Sequence, residues 1–286
     1  MHKLSTFMKK LMETGDPEIV HDTRVVCRRL EERLAVFFPK PRTGKIRKLR
    51  RKLRRIRRLL GGWRNCDVLL KLLTRESAAD ENPVTQDAWK LVHNYVAERR
   101  SREIRRSRKK IEKYDHSALG EAIEKLVGSP SGQDHPELLT RVHAAQYAMR
   151  QKWLAALTQA EQSLAPTDVH RFRIVTKRFR YRTELAHKAG DEQSSVLDAL
   201  KDLQDVLGSW NDRQALQQVI AEALSNPELL LREPLAGCVL LQKLEESQRS
   251  HSKAAREIIG FARAHRDLPK EESLADQTQA DTHEVV

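Results

Sequence analysis

Long apolar runs are missing from this sequence. No stretch of about 18 apolar residues occurs, so a membrane-spanning helix is not expected. The first residues, MHKLSTFMKKLMETGD, carry neither a sustained apolar core nor the small-residue cleavage pattern of a secretory leader. Cysteine is scarce as well. Cys27, Cys66 and Cys238 have no paired spacing and no metal-ligand neighbours, which argues against a disulfide framework or a zinc site. They are expected as small buried residues of a reducing compartment, and the expected location is the cytosol. Glycine and proline number only 11 and 10 in 286 residues. They gather at Gly15-Asp16-Pro17, Pro39-Lys40-Pro41, Gly61-Gly62, Ser129-Pro130-Ser131-Gly132 and Gly208, leaving helix-length segments between. No alternating strand pattern competes. There is also no phosphate-binding glycine loop, no pair of carboxylates near the bases and no nucleophile beside a base, so catalysis is not expected.

What the chain has in excess is positive charge, and it is localised. The net charge is +13, and the segment from Val20 to Gly62 alone holds 16 Lys and Arg against Asp22, Glu31 and Glu32. The rest of the chain carries 37 basic and 37 acidic residues and is balanced. A concentrated excess of this kind points to an anionic partner.

The remaining pattern is helical. Asp16 before Pro17 is a good cap and first-position pair, and Thr167 is expected to cap the helix that follows it. Ile46, Leu49, Leu53, Ile56 and Leu60 share one stripe of a basic amphipathic helix, and Val196, Leu200, Leu203 and Leu207 form its counterpart. Each is expected to run into a Gly-x-Trp break, with Trp63 and Trp210 closing the corner. Later helices are expected at about 64–78, 84–115, 135–163, 211–224 and 234–265. The expected fold is all-α, two pseudo-symmetric helical bundles at about 1–133 and 134–266 from an internal duplication, followed by a disordered tail at 267–286.

The duplication is visible in VHDTRVVCRRLEERLAVFFP, from residue 20, and VHRFRIVTKRFRYRTELAHK, 149 residues later. His21, Arg24 and Arg28 fall on one helical stripe, opposite Val26, Leu30, Leu34 and Phe37, and His170, Arg173 and Lys177 repeat it. Arg29 with Arg33, and Arg178 with Arg182, form a flanking stripe. A solvated face seldom needs the same bases twice, so these stripes are candidates for an anion site. In the second helix pair the offset is 147. There Arg51, Arg55 and Arg58 meet Asp198, Asp202 and Asp205, whereas Arg54 meets Lys201, which singles out that pair. The other arginines fit either a local field or a charged surface. Neither histidine has a second histidine or a carboxylate cluster at metal spacing. Beside guanidinium groups, an imidazole can instead donate to a phosphate oxygen. Asp67 and Asp212 are candidates to orient the arginines.

GDPEIVHDTRVVCRRLEER, LLGGWRNCDVLL, DVHRFRIVTKRFRYRTE and LKDLQDVLGSWND, in this order, resemble the two halves of a CHAD domain, the conserved histidine α-helical domain. The chain has Arg64-Asn65 where that family usually shows Arg-Asp. The resemblance implies paired helical bundles around a basic central cavity that binds inorganic polyphosphate, with association with polyphosphate granules and no cofactor. Carried over by position, it implies ligands at His21, Arg24, Arg28, Arg29 and Arg54, with His170, Arg173, Lys177, Arg178 and Lys201 in the second half, where Arg180 and Tyr181 also match the motif. Arg33 and Arg182 of the flanking stripes and Arg50 are candidates beside them. A nucleic-acid binder would use similar phosphate contacts through residues 45 to 58. Aromatic residues at 5%, none interleaved among those bases, leave it little stacking surface. A histidine phosphoacceptor stays open on the sequence.

Overall fold

The computed structural model describes residues 3–39, 44–114, 118–123, 135–189 and 194–266, and it is all-α. The helices are α1 Lys3–Thr14, α2 Pro17–Phe37, α3 Gly44–Ala78, α4 Pro83–Ile111, α5 His135–Ser163, α6 Pro166–His187, α7 Ser194–Leu224, α8 Pro227–Arg232 and α9 Pro234–Ala264, and residues 118–123 are helical as well. The boundary expected near 133 and the tail expected at 267–286 lie outside the described residues.

Local chemistry sets the starts. Asp16 caps α2, its side chain accepting from Glu18 N at 2.8 Å with Pro17 at the first position. Asn82 and Pro83 do the same for α4. Thr167 does not cap α6. Pro166 already occupies the first turn, so the cap position falls to Ala165, which makes no side-chain cap bond. Between α1 and α2, Gly15 sits at φ +65°, where a side chain is strained. A Cβ there would also come within 2.9 Å of the Arg108 guanidinium.

The Gly-x-Trp breaks are not breaks. α3 runs 35 residues straight through Gly61-Gly62, and α7 runs 31 residues through Gly208. At Gly61 and Gly62 the missing side chains admit neighbours. A Cβ at 61 would lie 3.4 Å from Arg24 Nη1 of α2, and one at 62 would overlap the Glu103 carboxylate of α4. Trp63 and Trp210 therefore close no corner. They are core residues, 0% and 4% exposed.

Each expected half has its own core. α1 to α4 bury Met8, Val20, Cys27, Leu53, Ile56, Leu60 and Trp63 together, and α5, α6, α7 and α9 bury Trp153, Val169, Phe172, Leu203, Leu207 and Trp210. Fully burying an aliphatic side chain of this size stabilises by roughly 1.5–3 kcal/mol. Burial recurs at the sequence offset of 149: Leu4, Met8 and Leu11 on α1 are buried, as are Trp153, Leu157 and Ala160 on α5. A third core joins the halves. Leu69 and Leu73 of α3 and Trp89, Val92 and Val96 of α4 meet Leu216, Val219 and Ile220 of α7 and Leu240 of α9. Cys27 and Cys66 are buried as expected, but Cys238 is exposed, because the buried stripe of α9 passes through Ala236, Gly237 and Leu240.

Candidate functional site

α2 of one half packs against α6 of the other, and the repeated bases meet across that contact. Both helices bury an apolar stripe without exposure: Val20, Thr23 and Cys27 on α2, and Val169, Phe172 and Thr176 on α6. Trp153 fixes Thr176 by a 3.0 Å Nε1 to Oγ1 hydrogen bond. The adjacent stripe is drawn half inside. Arg24, Arg28, Arg173 and Lys177 are all partly buried, whereas His21 and His170 stand at the exposed edge.

The electrostatics of this stripe are those of cations short of counter-charge. Burial, then Arg28, Arg57 and Arg64, hold the Arg24 guanidinium down at about 10. Arg24 also donates to the Arg57 carbonyl on α3. Burial lowers Arg28 and Arg173, and the Nε of Arg173 has no hydrogen-bond partner. Lys177 is the extreme case: burial first, then Arg173, Arg28 and Arg24, bring its ammonium to about 7. Burial and Arg64 lower His21. Asp212 of α7 is the acid beside Arg173 and Lys177, raised by burial while Arg173, Lys177 and Arg64 oppose that rise; Glu31 and Glu32 act on Arg28, and Asp22 and Glu18 on His21. His170 Nδ1 lies 2.9 Å from Asn211 Oδ1, which makes Nδ1 the donor and orients the ring.

Thus Arg24, Arg28 and His21 from α2, Arg64 from α3, Arg173 and Lys177 from α6 and Asp212 from α7 form one electrostatic cluster drawn from both halves. The repeat does not mark Arg57 or Arg64. They face Gln204 and Asn211 at the offset of 147, so a comparison of like charges passes over them. Asp67 does not orient a residue of the cluster by hydrogen bonding; it accepts from Arg100 of α4 at 2.6 Å.

The flanking stripe is engaged differently. Arg178 and Arg182 reach across to Glu32 of α2 at 2.7 and 3.3 Å, and Arg182 also donates to the Ala145 carbonyl at 2.8 Å. Arg29 and Arg180 both pair with Glu184 at 3.2 Å and both lie over the Tyr181 ring, at 5.8 and 5.4 Å. Arg33 lines a pocket of only about 20 Å³ with Arg29, Tyr181 and Glu184. Arg54 stands 3.8 Å from Glu31, which Arg57 holds at 3.0 Å. Arg50 is half-buried on α3, and Lys201 is exposed on α7. A larger pocket, about 490 Å³, opens between α3, α7 and α9 and carries both signs of charge, with Arg75, Arg213, Glu76 and Glu257 around Trp210 and Phe261. It shares Asp212 with the cluster. Among the described residues, no group of three or more His, Cys, Asp or Glu is placed to hold a metal ion, and no helix is long and apolar enough to cross a membrane.

The model of the CHAD domain matches residues 2–221. The chain belongs to the CHAD domain family. The CHAD domain match contains every residue of the cluster, while α9, beyond it, contributes Leu240, Ala255 and Ile258 to the cores. The fold is similar to the crystal structure of the CHAD domain from the plant Ricinus communis, with a TM-score of 0.64 and 21% identity over 91% of this chain and 87% of that one. It is also similar to PptA from Streptomyces chartreusis, with a TM-score of 0.64 and 16% identity over 91% and 97% of the two chains. Among curated proteins, none matches the chain by sequence.

Proposed function

We propose that this CHAD domain binds inorganic polyphosphate without cleaving it, using the cluster shared by α2 and α6. The observation that supports the reading is a convergence of half-buried cations from both halves, Arg24, Arg28, Arg173 and Lys177, with Asp212 as the carboxylate beside the last two. Burial depresses all four, and repulsion within the cluster adds to it at Arg24, Arg173 and Lys177, so an entering anion relieves an existing penalty. Successive bases one helical turn apart, roughly 5.4 Å, suit a chain that carries charge on every unit. Guanidinium forks hold phosphate oxygens in pairs. His21 and His170 then donate from the edge. No nucleophile or metal is part of this reading, which makes the domain a carrier or anchor of the polymer, with granules in the cytoplasm as its setting.

One observation favours a second reading. Arg47, Lys48, Arg51, Lys52, Arg55 and Arg58 lie exposed along α3, a surface that would follow a nucleic-acid backbone. Competition at matched phosphate concentration separates the two readings. Polyphosphate is expected to displace RNA and DNA, and log affinity is expected to fall linearly with log salt. Equal competition by nucleic acid supports the second reading, and a flat salt response removes both. Polymer length is expected to stay unchanged during incubation with divalent metal, and steady phosphate release would overturn the non-catalytic reading.

A further inference from the structure

The two repeats place different cations at one matched position. Arg28 in the first copy becomes Lys177 in the second. The difference matters chemically, because an arginine stays charged and a buried lysine can become a neutral amine. Lys177 is partly buried on α6. It faces Arg173 on its own helix, Arg24 and Arg28 on α2, and Asp212 on α7, while His21 of α2 stands near it at the rim. Three guanidiniums against one carboxylate destabilise its ammonium form, and the same guanidiniums form a receptor for phosphate. An amine nucleophile and an anion-binding site therefore share one place.

We infer that Lys177 is a modification site, an amine acylated by small acyl phosphates whose phosphate is held by Arg24, Arg28 and Arg173. The inference rests on the reading of this cluster as a phosphate site. In the reaction the Nζ lone pair attacks the acyl carbon and a C–N bond forms. The C–O bond to phosphorus-bound oxygen breaks, its electron pair leaves with inorganic phosphate, and the excess proton on nitrogen passes to that phosphate or to water. The product is a neutral amide where a cation had faced the polymer. Acylation and polyphosphate binding then exclude each other: the polymer covers the amine, and the amide removes one charge from the site. Burial and the three guanidiniums lower its ammonium to about 7, so the neutral amine is far more abundant at neutral pH than in an exposed lysine. For an ordinary lysine near 10.4 the neutral fraction is roughly one in a thousand or less.

The test uses the full-length protein and acetyl phosphate at pH 7.5, with site-resolved mass spectrometry and polyphosphate binding measured on the same preparation. Acetylation at Lys177 is expected to be at least about tenfold faster than at the exposed Lys71 and Lys90. Its rate should saturate with acetyl phosphate and fall when polyphosphate is added. An uncharged acetylating agent should show no saturation. If Lys177 reacts no faster than the exposed lysines, the inference is wrong. If polyphosphate binds yet leaves Lys177 acetylation unslowed, the amine is not in the polymer site, and the inference fails while the polyphosphate reading stands. If Lys177 reacts fast and saturably but polyphosphate does not bind, the reactive site stands and the polymer reading falls.

Discussion

Arg28 and Arg178 are both arginines of the repeat region, yet their surroundings assign them opposite work. Arg28 lies half-buried with no direct ion pair among the described residues, Glu31 and Glu32 acting on it against Arg57, whereas Arg178 is held by Glu32 at 2.7 Å. Arg28→Ala and Arg173→Ala are each expected to weaken polyphosphate binding about tenfold or more, since a charge-assisted hydrogen bond contributes about 1.5–3 kcal/mol. Arg54→Ala and Lys201→Ala, at the exposed matched positions, should each cost less. Arg182→Ala should mainly lower stability, by about 1–3 kcal/mol, because it removes a bond to Glu32 and one to the Ala145 carbonyl. Isothermal titration and denaturant unfolding on the same variants check the division. Lys177 adds a pH signature. Its folded value of about 7 lies below the unfolded value near 10.4, so between those values the unfolded chain holds more protons. The ligand-free protein therefore gains stability from this group as pH rises from 7 to 10, and loses none further as pH falls below 7. Polyphosphate favours the charged form, so binding takes up a proton and affinity should drop across the same window, by up to about one log unit per pH unit. Lys177→Arg should flatten that profile, as titrations at pH 7, 8 and 9 would show.

Among the helices, glycine has three different roles. Gly208 sits inside α7 with nothing within 4 Å of where a Cβ would be, so Gly208→Ala should raise stability by about 0.5–1 kcal/mol through helix propensity alone. Gly15→Ala should lower it by roughly 1–2 kcal/mol, because its left-handed backbone penalises any side chain. Thermal melts of both variants test the signs. The glycine pair in α3 also shows where sequence reasoning stops. The stripes of α3 and α7 were legible, since Leu49, Leu53, Ile56 and Leu60, and Val196, Leu200, Leu203 and Leu207, are all buried as their spacing requires. Gly61-Gly62 read as a break because a local rule weighs only lost propensity and cannot see Arg24 or Glu103 arriving from other helices. The site divides similarly. Repetition found Arg24, Arg28, Arg173 and Lys177. It could not tell them from Arg178 and Arg182, whose partner Glu32 lies about 150 positions away in the chain. Arg64 stayed outside the repeat signal because its position carries Asn211 in the second copy, and of the two acids expected to orient the arginines only Asp212 stands beside Arg173 and Lys177, while Asp67 pairs with Arg100.

For the molecule as a whole, the third core decides how the halves behave. Leu73 is fully buried there against α4, α7 and α9, so Leu73→Ala should cost about 2–5 kcal/mol. Unfolding should remain a single transition by circular dichroism and tryptophan fluorescence, because the same residues support both halves. Two separated transitions would show that the halves fold independently. The glycine pair has one more consequence at this scale. α2 seats Arg24 over Gly61 and α4 seats Glu103 over Gly62, two adjacent notches on opposite neighbours' paths along a rod of about 52 Å. Sliding α4 by one helical turn would put Arg58 or Cys66 where Gly62 now leaves room for the Glu103 carboxylate, which a Cβ at 62 would already overlap, whereas a Cβ at 61 would only touch Arg24 Nη1 at 3.4 Å. The notch at Gly62 thus acts as an alignment key for assembly. It rejects the one-turn misregistrations that a uniformly repetitive stripe such as KIRKLRRKLRRIRRLL would otherwise tolerate.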